Sequence, residues 1–293
     1  MQNYLNDYLS YLRIEKNCSP LTITDYRLEI EKFNNFFASE NLFSIELISN
    51  GHIRNYIYTI KEQRNLSATS TYKKIAILKS FFNYLETNEI IKFNPTKNIK
   101  LPRKEKPIPK VVSNDEFTRL LSCIKFSPAR CRKNYIRDSL IFSMLYYCGL
   151  RRSELLNLNW DDLNLGSKII CIRSSKNKSG RVIPIHSKVC ELLELYLDTK
   201  LPLKNRALIV GETGKRLTIC SFTNLIKMYF KISLLAKKGY TAHSLRHGFA
   251  TRLIEKNVNI FLVQKLLGHS CLDSTKIYVH FDSKSCTEAI KLL

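Results

Sequence analysis

The stretch "NPTKNIKLPRKEKPIPK", residues 94–110, constrains this chain more than any other, because it holds four of the eight prolines, at 95, 102, 107 and 109. Proline removes a backbone donor and pushes the residue before it out of the helical region. No helix or central strand can run through such a segment, so the chain must build a core on each side of it. The spacing predicts a small domain over 1–95, an extended basic linker over 96–110 and a larger domain over 111–293. With 293 residues and 44% hydrophobic content, both sides are long enough to bury a core.

Before the linker the apolar pattern is helical. Leu5, Tyr8, Leu9 and Leu12 fall on one face, and Ser19 and Pro20 make an N-cap followed by a first helical position. Two further helices are expected near 49–63 and 67–87, which gives an all-α domain of four short helices. Beyond the linker, helices are expected near 113–123 and 133–147. The β-branched runs Ile169–Ile172 and Val182–Ile185 flank a Lys/Asn/Ser/Gly turn and read as a β-hairpin, after which helices resume.

Charge is distributed unevenly between these parts. The formal net charge is +22. Residues 1–95 carry 11 Lys+Arg against 10 Asp+Glu, 96–110 carry 6 against 1, and 111–293 carry 30 against 14. The excess therefore lies in the linker and the larger domain. Such an excess costs self-repulsion unless a polyanion neutralises it, and nucleic acid is the favoured partner. No RNP-type aromatic strand points to RNA, and no lipid-facing stripe points to a membrane surface. No run is long and apolar enough for a membrane span, and the polar start "MQNYLNDYLSYLRIEK" lacks the apolar core of a signal peptide, so a cytoplasmic protein is expected. The nine cysteines are odd in number, scattered and without a C-x-x-C pair, which predicts reduced thiols and no zinc ribbon.

Four local features of the larger domain carry chemistry. In "YCGLRRSELLNL", Gly149 stops one helix and Ser153 and Glu154 open the next, with Arg151 and Arg152 at the junction. Cations in a first helical turn oppose the helix dipole, so an anion is expected to compensate, either Glu154 or a ligand. In "SSKNKSGR", Lys176, Lys178 and Arg181 sit at the expected hairpin tip, where a solvated basic turn is the plain alternative. In "TAHSLRHGFATRLI", Thr241 caps a helix that carries His243 and Arg246 on one face. His243 and His247 also form an H-x-x-x-H pair, but no carboxylate accompanies them and an arginine lies between, which disfavours a metal. In "LLGHSCLDSTKIYVH", one helix ends at Gly268 and another starts near Asp273, with His269 and Tyr278 nine residues apart. Taken singly, Tyr278 reads as a packing aromatic.

Together these residues match one reaction. Displacement at a phosphodiester needs a nucleophile, a proton donor for the leaving oxygen and fixed cations for the non-bridging oxygens. Two arginines, a lysine and two histidines supply this without metal or cofactor. A phenol with a pKa near ~10 is only about one part in a thousand ionised at neutral pH, so Tyr278 needs a cationic pocket or a nearby base.

On these residues the sequence resembles the tyrosine recombinase/integrase family, and "TAHSLRHGFATRLIEKNVNIFLVQKLLGHSCLDSTKIYVH" is especially similar to its Xer-type branch. The Gly-Leu-Arg and Ser-Glu-Leu motif falls on Gly149–Leu155, the hairpin lysine on Lys176 before "RVIP", the H-x-x-R box on His243 and Arg246, the L-G-H on Leu267–His269, and the nucleophile on Tyr278. Lys178 lies two residues from Lys176 at the same turn, and Arg152 stands where the family has an aliphatic residue. The resemblance implies a mainly α fold with a small β-hairpin or sheet. A helical N-terminal core-binding domain would clamp DNA, and a mixed, mostly α catalytic domain of the DNA breaking-rejoining type would follow. It also implies the chemistry: Tyr278 attacks a scissile phosphate to give a 3′-phosphotyrosyl link, Arg151, Arg246 and His269 stabilise the transition state, Lys176 protonates the 5′-oxygen, and His243 acts as base or extra donor. No cofactor is implied. The implied partners are double-stranded DNA sites, a homo- or hetero-tetramer on two duplexes, and an accessory protein. A type IB topoisomerase or a non-catalytic DNA-binding protein on the same fold are the alternative readings.

Overall fold

The computed structural model describes residues 2–39, 44–103, 109–126, 134–173, 180–202 and 205–268. The chain divides into two compact units, residues 1–107 and 108–293.

The first unit is built from α1 (Gln2–Ile14), α2 (Pro20–Ser39), α3 (Asn50–Arg64) and α4 (Ala68–Thr87). Serines start three of them: Ser19 Oγ accepts from the Thr22 amide, Ser49 Oγ from His52 and Ser67 Oγ from Ser70, each satisfying one orphan donor of a helix start. The predicted face of α1 is buried, with Leu5 and Tyr8 fully inside, and Tyr8 stacks among Phe81 and Tyr84 while its hydroxyl bonds Ser80 Oγ at 2.8 Å. The buried Glu29 is matched by Lys74 and by the Tyr56 hydroxyl.

The start of the proline-rich stretch is not extended. Asn94 and Pro95 take the first two positions of a turn closed by the Lys97 amide on Asn94 O at 3.2 Å, and Asn94 Oδ1 accepts from both the Thr96 amide and its hydroxyl. Asparagine followed by proline suits a type I turn, which the helix-breaking argument alone does not distinguish from an extended chain. Ile99 then buries against the helical core, and its carbonyl accepts from Lys79.

The second unit centres on α6 (Tyr135–Tyr147), buried at every position from Arg137 to Tyr146. Around it pack α5 (Asn114–Lys125), α8 (Ser187–Asp198) and α10 (Ala242–Glu255). Between these elements run α7 (Arg152–Asn157), the antiparallel sheet β1 (Leu163–Asn164), β2 (Ile169–Ile172) and β3 (Arg181–Pro184), and α9 (Ile219–Ile232). The hairpin register pairs Ile170 with Ile183 and Ile172 with Arg181. The two-residue β1 was not anticipated, being too short for any periodicity. Helix α11 (Ile260–Leu267) is held to α10 by Phe249, Ala250, Ile254, Val263 and Leu267. Among the described residues no helix is long and apolar enough to cross a membrane.

Two glycines fix where the functional elements start and stop. Gly149, φ +62°, ends the α6 segment immediately before Leu150 and Arg151, and a Cβ there would run into the Phe249 ring. Gly268, φ +61°, closes α11, where a Cβ would meet Arg181 Nη1 at 2.7 Å. Both positive φ and the lack of space argue against any side chain. Gly149→Ala is therefore expected to destabilise the second unit by more than about 1 kcal/mol, read as a lowered denaturation midpoint. An unchanged midpoint would mean that Phe249 moves aside without cost.

Candidate active site

The site assembles where α7, β3, α10 and the end of α11 meet. Its centre is Glu154, whose side chain is 13% exposed. Arg181, the first residue of β3, closes a bidentate pair on it, Nη1 to Oε1 and Nη2 to Oε2, both 2.8 Å. Arg151 adds Nη1 to Oε1 at 2.7 Å, and its own backbone amide donates to Oε2 at 2.7 Å, so Glu154 also caps the start of α7. Arg246, from α10, brings Nη1 to 3.7 Å of Oε2.

The same three guanidiniums also grip the end of α11. Arg181 Nε donates to Leu266 O at 2.8 Å, Arg246 Nη2 to Leu267 O at 2.5 Å and Arg151 Nη2 to Gly268 O at 2.5 Å. These carbonyls lack intrahelical donors and carry the negative end of the helix dipole, so cations belong there. Arg246 Nη1 donates to Gly149 O as well, which ties the α6–α7 junction to α10. Arg246 and Arg181 side chains are 6% and 9% exposed and Arg151 is 22% exposed. Arg151 is thus the most open of the three forks.

The electrostatics follow from this crowding of cations. Burial would raise the Glu154 carboxyl, but hydrogen bonds from Arg181 and from the Arg151 amide, with the guanidinium charges, bring it down to about 2. It is a fixed anion at any physiological pH. The His243 imidazole is lowered by desolvation and then by Arg246, Arg152 and Arg151. His247 is lowered to about 4 by burial, His243 and Arg246. Both rings are therefore neutral near pH 7, and His243, exposed on the first turn of α10, can accept a proton. No group of three or more His, Cys, Asp or Glu among the described residues could hold a metal ion.

Of the residues singled out from the sequence, the structure brings Arg151, His243 and Arg246 to one place. Lys176, Lys178, His269 and Tyr278 lie outside the described residues; His269 directly follows Gly268, the last residue Arg151 holds. One reading is corrected: Arg181 is not at a solvated hairpin tip but buried on Glu154, because its pairing with Ile172 places it within the sheet. Glu154 was legible only as the local partner of Arg151, and its other partners lie 27 and 92 residues along the chain. No local spacing could have reported them.

Residues 110–285 match the phage integrase family, and residues 5–89 match the phage integrase N-terminal SAM-like domain. A tyrosine recombinase of Pseudothermotoga lettingae is 35% identical over 100% of this chain and 99% of its own length. XerC of Thermodesulfovibrio yellowstonii is 31% identical over 98% and 94%. Among solved structures, the XerH site-specific recombinase bound to palindromic difH substrate has a TM-score of 0.77 at 26% identity, covering 98% of this chain and 83% of that one. The Tn1549 transposon integrase with a circular intermediate DNA has a TM-score of 0.78 at 21% identity, a likeness of fold, over 99% of each chain.

Proposed function

The chain belongs to the phage integrase family, and we propose that it is a site-specific tyrosine recombinase that cuts and rejoins double-stranded DNA through a 3′-phosphotyrosyl intermediate on Tyr278. The observation that carries this reading is the cluster of three guanidiniums ordered by one part-buried carboxylate at the end of α11, from which the chain leads directly to His269 and on to Tyr278. A preorganised set of donors of this kind suits an anionic transition state, because no reorganisation is needed when charge develops.

In the first step the Tyr278 phenolic oxygen bonds to phosphorus and the bond to the 5′-oxygen breaks. Lys176 gives that oxygen its proton, while His243, held neutral by desolvation and then by its cationic neighbours, takes the proton of the phenol. Arg151 and Arg246 offer guanidinium donors to the non-bridging oxygens, joined by His269. In the second step the 5′-hydroxyl of a partner strand attacks phosphorus and gives its proton to Lys176, and the bond to the phenolic oxygen breaks as Tyr278 takes back the proton held on His243. One phosphodiester is exchanged for another, so neither nucleotide hydrolysis nor a cofactor enters the balance. Exchange between two duplexes calls for four subunits; a tetramer in the cytoplasm, helped by an accessory protein at some sites, completes the proposal.

The test is covalent capture. On a nicked duplex carrying the target site, mapped from the DNA the protein occupies in cells, wild type is expected to form an SDS-resistant adduct that Tyr278→Phe cannot form. Occupied DNA without any adduct would favour a non-catalytic binding protein. Relaxation of one duplex without exchange between two would favour a type IB topoisomerase.

A further inference from the structure

Beside the Glu154 cluster lies a cleft of about 560 Å³ whose cations have a different character. Its rim carries Arg152, Lys227 and Lys231, its floor Phe222, Ile226 and Phe230, and His243 lies on the side toward the arginine cluster. All three cations are exposed, and no carboxylate is among the described residues that line the cleft. Arg151 and Arg152 are adjacent in sequence but opposite in use. The Arg151 fork is engaged by Glu154 and Gly268 O, whereas the Arg152 side chain has no hydrogen-bond or ion-pair partner among the described residues. The same holds for Lys227 and Lys231, which lie one helical turn apart on α9. Arg152 also begins α7, where a cation opposes the helix dipole.

Three like charges are therefore gathered over an apolar floor, with no carboxylate among the described lining residues to offset them. Low-dielectric walls concentrate their field, and an anion entering the cleft relieves both their mutual repulsion and the helix-start penalty of Arg152. We propose that Arg152, Lys227 and Lys231 form a second anion subsite, which takes a DNA backbone phosphate next to the one being cut. This rests on the recombinase reading, and adds to it a contact that positions the duplex rather than reacts. His243 borders both places, so a strand whose scissile phosphate lies on Arg151 and Arg246 continues past it into the cleft. A phosphate contact of this kind is independent of sequence and releases condensed counterions.

The subsite is tested by titrating a fluorescent duplex of arbitrary sequence with the full chain at several salt concentrations. Arg152→Ile, and separately Lys227→Gln with Lys231→Gln, are each expected to weaken binding and to reduce the slope of log K against log salt by about 1, the release that goes with one neutralised phosphate. Arg152→Lys keeps the charge and is expected to retain the wild-type slope. An Arg152→Ile slope equal to that of wild type, or an equal loss in Arg152→Lys, would overturn the subsite while leaving the recombinase reading intact. Failure of the wild-type chain to bind any duplex would sink both.

Discussion

Glu154→Gln is expected to lower the stability of the second unit by about 3 kcal/mol and to reduce DNA cleavage at least a hundredfold. Its carboxyl, near 4.5 in the unfolded chain, stands at about 2 in the folded protein, and about 2.5 pKa units at about 1.36 kcal/mol each give that stabilisation. An amide keeps the shape but leaves the buried Arg181 and Arg246 without their anion, and breaking such a pair from one side is costly. The pH dependence has a definite sign. Because the folded pKa is the lower one, the unfolded chain binds more protons between about 4.5 and 2, so the contribution is complete above 4.5 and disappears as pH falls through 2. Urea unfolding of wild type and variant at pH 7 and below 4.5 should therefore converge on acidification. A variant within 1 kcal/mol of wild type at pH 7 would show that the arginines find other partners without loss.

Arg246→Lys is expected to be nearly as damaging to catalysis although it keeps the charge. The guanidinium spans Gly149 O and Leu267 O, both at 2.5 Å, while approaching Glu154. An ammonium is a single point and cannot hold the α6–α7 junction and the end of α11 at once while facing a phosphate. Loss of one preorganised donor to a developing charge typically costs about 10²–10³ in rate. The loss should appear in single-turnover cleavage at saturating DNA, more than in duplex affinity. A decrease of less than tenfold would remove Arg246 from the reaction and leave it a structural residue.

These two positions also mark how far the sequence could be read. Ser19 was legible as an N-cap because its signal is local, and the structure shows the same device at three more starts: Ser19, Ser49, Ser67 and Ser113 each accept from an amide three residues away. The hairpin was legible from its β-branched runs, and Gly149 and Gly268 from their places after apolar helical patterns. Arg151, His243 and Arg246 were found as a set, because the chemistry of a phosphodiester asks for that inventory. What the sequence could not supply is tertiary bookkeeping. Arg181 read like Lys176 and Lys178, as part of one basic turn, until strand pairing turned it inward. Glu154 resembled an ordinary helix-start acid until three elements converged on it. The contrast between Arg151 and Arg152 is likewise invisible in the letters, since it depends on which fork meets Glu154 and the carbonyls of α11. The turn at Asn94–Lys97 was lost for the opposite reason: proline excludes helix but permits both an extended chain and a tight turn.

One tyrosine of fifteen is expected to become bonded to DNA. Trapping the adduct on a nicked target duplex, digesting it with protease and nuclease, and locating the nucleotide-bearing peptide by mass spectrometry tests this directly. The expected result is a single modified peptide carrying the 3′-phosphate on Tyr278. A nucleotide on any other residue, or a 5′-phosphate linkage, would contradict the account.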